Sequence, residues 1–424
     1  MRIAVIGCGV GGMAAALGLK RGGHEVEIFE RFEEPKPVGA GLLLQPTGLS
    51  ALAHLGLEDR VRALGAKVTG LLGRNRRGRA VFDLPYERGT GLGVQRSALF
   101  GALYDTVRAE KIEVHAGTGI EAIDGADDEH ARLRDETGRS WTGYDLVVVA
   151  DGANSQLRSN VRPSARAPAY PWGAFWTLAP DPDNAWSDLL RQVYDGARIM
   201  AGVLPVGRAP AAQSAADPKW GAEPGSAPDA DGATGSAVPQ VAFFWSVKTA
   251  DFDKAREKGL DALKAEVSAL WPEAGALLSS ADSFDAFAPA SYRNVAARPW
   301  TRGRLVVIGD AAHGTSPQLG QGANLALIDA VELAWAIGEA RRYRPLKAAL
   351  RDYVRARSAH TAYYQFMSWM LTPVYQSDSR LMGWTRDIVM PILCGAPLTG
   401  NVMRATLCGR ARFGLGRWRG SWER

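Results

Sequence analysis

The sequence predicts an α/β protein with a Rossmann-like domain that is discontinuous in sequence, an inserted β-sheet domain and a helical C-terminal region. Three observations predict it. The N-terminus reads strand, glycine turn, helix, strand. Two later apolar runs, Leu146-Val147-Val148-Val149 and Leu305-Val306-Val307-Ile308, each feed an Asp-Gly or Gly-Asp pair. Between about 173 and 297 the character changes to alternating apolar strands.

Residues 2–6 form a buried-strand pattern, 11–21 a helix rich in Ala and Leu, and 24–29 a second strand with period-2 alternation, which is a βαβ start. Helical patterns at 46–64 and 96–109 follow, then short strand-like runs at 112–115, 118–123 and 131–134, before the apolar strand that delivers Asp151-Gly152. The inserted region carries strands at 175–178, 201–204 and 241–245 and one charged helix near 252–269. Within it, 207–239 is dominated by Ala, Gly, Pro, Ser and Asp. That composition buries too little surface to order itself and predicts a mobile loop. After Gly309-Asp310, residues 323–341 have helical spacing. Two more helices are predicted at 346–370 and 381–390. The expected division is 1–172 with 298–345, then 173–297 with a short contribution from 73–91, then 346–424.

The 424 residues are 46% hydrophobic, enough for two or three buried cores. A net charge of +5 is too small at this length to indicate nucleic-acid binding. Cys8, Cys394 and Cys408 show no CxxC spacing, which argues against a disulfide scaffold, a metal site or a dithiol redox pair. The first strand begins at once and leaves no room for a cleavable signal, so the expected location is cytoplasmic.

Gly7-Cys8-Gly9-Val10-Gly11-Gly12 carries the first chemistry. In Gly7-x-Gly9-x-x-Gly12 the first glycine permits a tight turn, the second lets backbone approach a pyrophosphate, and the third lets helix meet strand. The helix N-terminus then offers amide donors and partial positive charge to phosphates. Glu30 ends the second strand 18 residues after Gly12, where a carboxylate can accept hydrogen bonds from an adenosine ribose. FAD and NAD both fit such a site.

Asp151-Gly152-Ala153-Asn154-Ser155-Gln156-Leu157-Arg158, together with Gly309-Asp310, Pro317 and Gly320-Gln321-Gly322-Ala323-Asn324, resembles the DG and GD segments of a known family. These are the single-component FAD-dependent aromatic hydroxylases of the para-hydroxybenzoate hydroxylase type, the group A flavoprotein monooxygenases. The likeness covers about 1–160 and 298–345. It implies FAD as cofactor, NADH or NADPH as transient reductant, and O₂ delivered through a flavin hydroperoxide to a small aromatic or polycyclic substrate. It also implies roles. Gly7, Gly9, Val10, Gly11, Gly12, Glu30 and Arg31 would hold the adenosine and pyrophosphate end. Asp310 would bind ribityl or ribose hydroxyls, and Pro317 and the amides of Gly320, Gln321, Gly322, Ala323 and Asn324 would face the flavin. A helix N-terminus there favours the negative charge of the reduced ring. Arg96 matches an arginine that reaches FAD from a helix start. Gly39-Ala40-Gly41-Leu42 resembles the loop beside the isoalloxazine ring, while Asp151 and Arg158 belong to a segment shared by FAD and nicotinamide.

No catalytic acid or base is legible. His313, Pro317, Tyr292 and Arg293 are the residues placed to be one, with a structural or flavin-neighbour role favoured for His313. Other flavin chemistry on the same fold stays open: epoxidation, Baeyer–Villiger oxidation, halogenation or isoprenoid double-bond reduction. So does a non-catalytic flavin-binding, membrane-docking role. Arg404, Arg410, Arg412, Arg417 and Arg419, mixed with Phe413, Leu415, Trp418 and Trp422, could rest on an anionic bilayer. The expectation is instead a solvated, poorly ordered terminus.

Overall fold

A computed structural model of the protein describes residues 1–35, 40–87, 89–209, 237–343, 345–414 and 416–423. Its first layer is a six-stranded sheet in the order Thr301–Arg302, Leu305–Val307, Leu146–Val149, Arg2–Ile6, Glu25–Phe29, Glu113–His115. Every neighbouring pair is parallel except the first. The central strands are apolar along their length because they are buried between packed helices and residues of a small antiparallel sheet such as Leu133 and Tyr144, and Leu146 to Val149 have no exposed surface. Helix Val10–Arg21 lies against helices Gly322–Tyr343 and Arg96–Ala109. A small antiparallel sheet of Ile120–Asp124, Ala131–Asp135 and Ser140–Tyr144 follows the edge.

The second layer is a nine-stranded sheet. Its order is Ala288–Ala290, Trp172–Pro180, Val238–Lys248, Ile199–Ala209, Asp188–Asp195, Ala66–Asn75, Gly91–Gln95, Gly41–Leu44, with Ala80–Pro85 pairing Ala66–Asn75. Four of these strands precede residue 173, so the chain crosses between the sheets more than once. Trp172 and Trp245 are buried, while Trp176 donates its indole N–H to the Tyr292 hydroxyl at 3.3 Å. A separate core of Phe175, Phe243, Trp245, Val267 and Phe287 joins the sheet to the helices at 252–277.

Several elements differ from expectation for local reasons. The 46–64 pattern is two helices, Pro46–His54 and Glu58–Leu64, broken where Gly56 adopts φ +59. The charged helix divides at Gly259, φ +86, into Phe252–Lys258 and Leu260–Leu270. The loop expected over 207–239 falls mainly on 210–236, outside the described residues; 207–209 and 238–239 are strand. The helix from Leu346 continues to Tyr375, and Arg380–Gly395 is followed by a further helix, Pro397–Leu407.

The expectation of a poorly ordered C-terminus is corrected. Trp418 is 3% exposed, stacks on His360 with centroids 4.3 Å apart and donates its indole N–H to the Ala356 carbonyl. Arg410 pairs with Glu423 at 2.9 Å, the Ser421 N–H donates to Glu332, and the Trp422 indole reaches Ser50. Burial of the aromatic rings, with these bonds, offsets the entropy of ordering the tail.

Candidate functional site

The three glycine segments converge at the C-terminal ends of three adjacent parallel strands, the position where open α/β sheets bind ligands. Gly7 has φ +106, and a Cβ there would lie 2.5 Å from the Ala150 carbonyl oxygen. A Cβ on Gly11 would sit 3.3 Å from Ala326 Cβ, and one on Gly309 3.2 Å from the same atom. One on Gly12 would lie 1.9 Å from the Gly7 carbonyl oxygen. Packing therefore explains Gly7 and Gly12. Gly9 is different: nothing of the protein lies within 4 Å of its Cβ position, and its φ of −84 suits any residue. Its open side is where a pyrophosphate would approach, so the loop fits a dinucleotide.

The carboxylate of Glu30 holds this loop from below. One oxygen accepts the Cys8 N–H at 2.8 Å and the other the Phe32 N–H at 3.1 Å. Burial, then Glu30, push the Cys8 thiol up to about 12, so it is inert. Arg31 is exposed and lies over the Phe32 ring.

The middle segment leaves strand Leu146–Val149 and turns at Gly152, φ +80. Arg158 is buried, donating to the Ser155 carbonyl at 2.8 Å and to those of Gly152 and Ala153. Its Nη1 and Asp151 Oδ1 are buried without hydrogen-bond partners. Burial raises the Asp151 carboxyl against the opposing influence of Ser155 and Arg158. Burial lowers the Arg158 guanidinium, opposed by Asp151 and Asp310 and reinforced by Arg293. Two orphaned polar atoms in one segment mark a place where a polar ligand group would be satisfied. Arg293 joins this segment, with Nε 2.5 Å from Asn154 Oδ1 and Nη1 2.9 Å from the Ala167 carbonyl. Burial raises the Tyr292 phenol.

The third segment rests on a buried charged network. Asp329 Oδ2 accepts the Gly309 N–H at 2.9 Å and lies 2.5 Å from His313 Nε2; Oδ1 accepts Arg357 Nε at 2.7 Å. Arg357 Nη1 is 2.6 Å from His360 Nδ1, and His360 Nε2 is 2.7 Å from the Gly409 carbonyl. Asp329, Arg357 and His360 have no exposed surface. Burial alone would raise the Asp329 carboxyl; His313 and Arg357 outweigh it and hold it well below the ordinary range. Burial, then Arg357, push His360 well below its usual value. His313 is thus turned into the core, while Asp310 beside it is exposed.

Asp310 lies next to Gly322, whose Cβ position is 3.6 Å from Asp310 Oδ1. Pro317 opens the turn Pro317–Leu319, Gly320 is left-handed with open space around it, and helix Gly322–Tyr343 begins. Gln321 points inward, its amide donating to the Leu407 carbonyl at 3.3 Å. The buried Asn324 accepts the Gln45 N–H at 2.8 Å and donates to Leu43 and Gly320, locking the two loops together. The Ala40 carbonyl accepts the Arg96 N–H at 3.0 Å, and the Arg96 side chain is exposed. Gly41 lies so close to Ala242 and Val206 that a Cβ would clash. Gly39 lies outside the described residues. Ala40 and Leu43 share an apolar cluster with Trp176, Leu190, Leu204 and Tyr86 of the large sheet.

Asp329, Arg357 and His360 escape the sequence reading. Asp329 had a signal, an acid within the apolar run Leu325–Leu333. Arg357 and His360 had none, since charged residues usually mark a solvated helix face.

A family model described as "FAD binding domain" matches residues 1–364. The 2-heptyl-3-hydroxy-4(1H)-quinolone synthase of Pseudomonas aeruginosa is 27% identical over 422 residues, 98% of this chain and 99% of that one. The aurachin C monooxygenase/isomerase of Stigmatella aurantiaca is 26% identical over 410 residues, 93% and 94% of the two chains. Klebsiella pneumoniae HpxO, solved with FAD and uric acid, has a TM-score of 0.74 at 21% identity over 96% of this chain and 97% of its own. That likeness shows a shared fold.

Proposed function

The chain belongs to the FAD binding domain family, and from that premise we propose how its residues serve an FAD-dependent monooxygenase and which substrate class it takes. The enzyme uses NAD(P)H and O₂. The observation that carries the site assignment is the meeting of all three glycine segments at the ends of three adjacent strands, around the open side of Gly9.

When bound, FAD supplies the redox chemistry, taking reducing equivalents from NAD(P)H and passing one atom of O₂ to the substrate. The protein's part is binding, orientation and exclusion of water. The amides around Gly9 to Gly12 hold the pyrophosphate, and Glu30 stiffens that loop while keeping its carboxylate near the ribose. Asp310 takes ribityl hydroxyls. The amides from Gly320 to Asn324, held by the inward side chains of Gln321 and Asn324, present a helix N-terminus to the ring. Asp151 and Arg158 offer their unpaired atoms to the shared FAD and nicotinamide region. His313 is a positioning residue: through Asp329 it fixes the Gly309 amide and so the orientation of Asp310.

For substrate we propose a flat heteroaromatic of the quinolone kind with an apolar substituent. Support comes from the apolar cluster that joins Ala40 and Leu43 to Trp176, Leu190 and Leu204, and from the nearly full-length likeness to a quinolone synthase. Purified enzyme should carry FAD, and Asp310→Ala should lower FAD content at least tenfold. NADH and NADPH oxidation would be followed against phenols, 2-alkyl-4-quinolones and polyketide-like aromatics, with peroxide and ¹⁸O incorporation measured. Label in a quinolone product supports the class; stimulated oxidation that yields only peroxide with every quinolone refutes it.

A further inference from the structure

We propose that the outer face of the C-terminal helices docks on an anionic phospholipid bilayer. The first feature that carries this is apolar. On helix Arg380–Gly395, Leu381, Trp384, Ile388 and Ile392 follow the spacing of a single helix face, yet this face points to solvent, with Trp384 64% and Ile392 65% exposed. The opposite side meets strand Ala80–Pro85 of the large sheet. Trp369 at 68% and Leu398 at 78% extend the exposed strip onto the neighbouring helices. So many large apolar side chains exposed on neighbouring helices are uncommon unless something covers them.

The second feature is basic. A cleft of about 550 Å³ between helix Leu346–Tyr375 and the tail is lined by Arg355, Arg412, Arg417 and Arg419, with Asp352. It lies against the helix whose C-terminal half carries Phe366 and Trp369. Phe366 and Trp369 follow Arg355 by 11 and 14 residues, about three and four helical turns, so all three share one helix face within about 21 Å. Phe413, next to Arg412, has its ring 5.7 Å from Phe366, which in turn is 6.0 Å from Trp369.

The charge balance selects the occupant. Residues 366–413 hold five arginines and two aspartates. Both aspartates are paired, Asp378 with Lys248 at 2.5 Å and Asp387 with Arg386 at 2.7 Å. Arg404 and Arg410 are paired too, with Glu87 at 3.0 Å and Glu423 at 2.9 Å, so that among the described residues Arg380 and Arg412, with Arg419 of the cleft, are the exposed arginines left here without an acidic partner. A second copy of the chain bound through a two-fold interface would set these arginines against themselves. Anionic headgroups match the arginines, acyl chains match the strip, and tryptophans favour the boundary between them. Among the described residues no single helix is long and apolar enough to cross a membrane, and the last two helices meet at 98°. The contact proposed for this surface is an interfacial one. The bilayer contact belongs to these helices; Trp418 and Trp422, the tail residues that looked suited to it, are engaged with the protein core.

Full-length holoenzyme would be sedimented with phosphatidylcholine vesicles, with and without phosphatidylglycerol. Pelleting is expected with the anionic vesicles and should weaken as salt rises from about 0.1 to 0.5 M. Arg412→Gln and Arg419→Gln should each lower the vesicle partition about fivefold. Trp384→Glu with Ile392→Glu should abolish pelleting while FAD content and NAD(P)H oxidation stay at wild-type level; Trp369→Gln gives a milder variant of the same test. Wild-type protein that stays in the supernatant with anionic vesicles overturns the proposal. So does undiminished pelleting of the double variant. A wild-type dimer that the double variant makes monomeric, with no vesicle binding by either, assigns the face to a subunit interface and also overturns it.

Discussion

Replacing Arg357 by Met removes one partner from a carboxylate that has no contact with water. Among the described residues Asp329 then keeps the Gly309 N–H and His313, and His360 Nδ1 loses its contact at 2.6 Å. Breaking a buried ion pair from one side costs about 3–5 kcal/mol, chiefly because the remaining charge is uncompensated. The same change loosens Gly309, whose amide orients Asp310, so FAD affinity should fall about tenfold, or about 1.4 kcal/mol. Adding Asp329→Asn removes the stranded charge. The double variant should therefore be more stable than Arg357→Met alone by about 1–3 kcal/mol, a coupling of the size seen for residues in one network. Urea unfolding followed by circular dichroism, with FAD release followed by flavin fluorescence, measures both quantities. A loss below about 1 kcal/mol for Arg357→Met, or simple additivity in the double variant, would refute the reasoning.

The two glycines of the first loop should separate folding from binding. Gly9→Ala adds a Cβ that meets no protein atom within 4 Å, so the melting temperature of the FAD-free protein should not move while the FAD dissociation constant rises about tenfold; Gly12→Ala, whose Cβ would lie 1.9 Å from the Gly7 oxygen, should lose folded protein outright. Equal effects on folding from both changes would contradict this. Glu27 predicts the acid limb of stability. Burial alone would raise its carboxyl, but hydrogen bonds from Arg2, His115 and Tyr144 lower it overall. A depressed carboxyl stabilises fully above the ordinary glutamate value of about 4.3, and that contribution is lost as pH falls through the folded value. Melting temperature should thus fall less steeply below about pH 5 in Glu27→Gln than in wild type; parallel curves would exclude Glu27 as a source.

The βαβ start, the apolar strands at 146–149 and 305–308 and the glycine segments were legible because each is local. A strand buried on both faces must be apolar, and a helix meeting a phosphate needs a glycine turn, so residue type follows directly from neighbours close in sequence. The pairing partners of Ala66–Asn75 and Ala80–Pro85 were less so. These strands carry Gly, Arg and Asp residues that break the alternation, and Ala66–Asn75 pairs not only with its near neighbours but with Asp188–Asp195, more than a hundred residues away.

Local pattern thus determined the ligand class, the order of the three segments and the residues that line them. Tertiary structure alone decided what each polar side chain is for. Gln321 and Asn324 turn inward to fasten loops, and His313 turns into the core because Asp329, itself held by Arg357 of another helix, meets it there. It also decided the fate of the aromatic residues at the C-terminus. Burial depends on contacts far apart in the chain, so Trp418 and Trp422 found cover against residues such as His360 and Ser50, whereas Trp384 and Ile392, at spacing that would suit a core, remained outside.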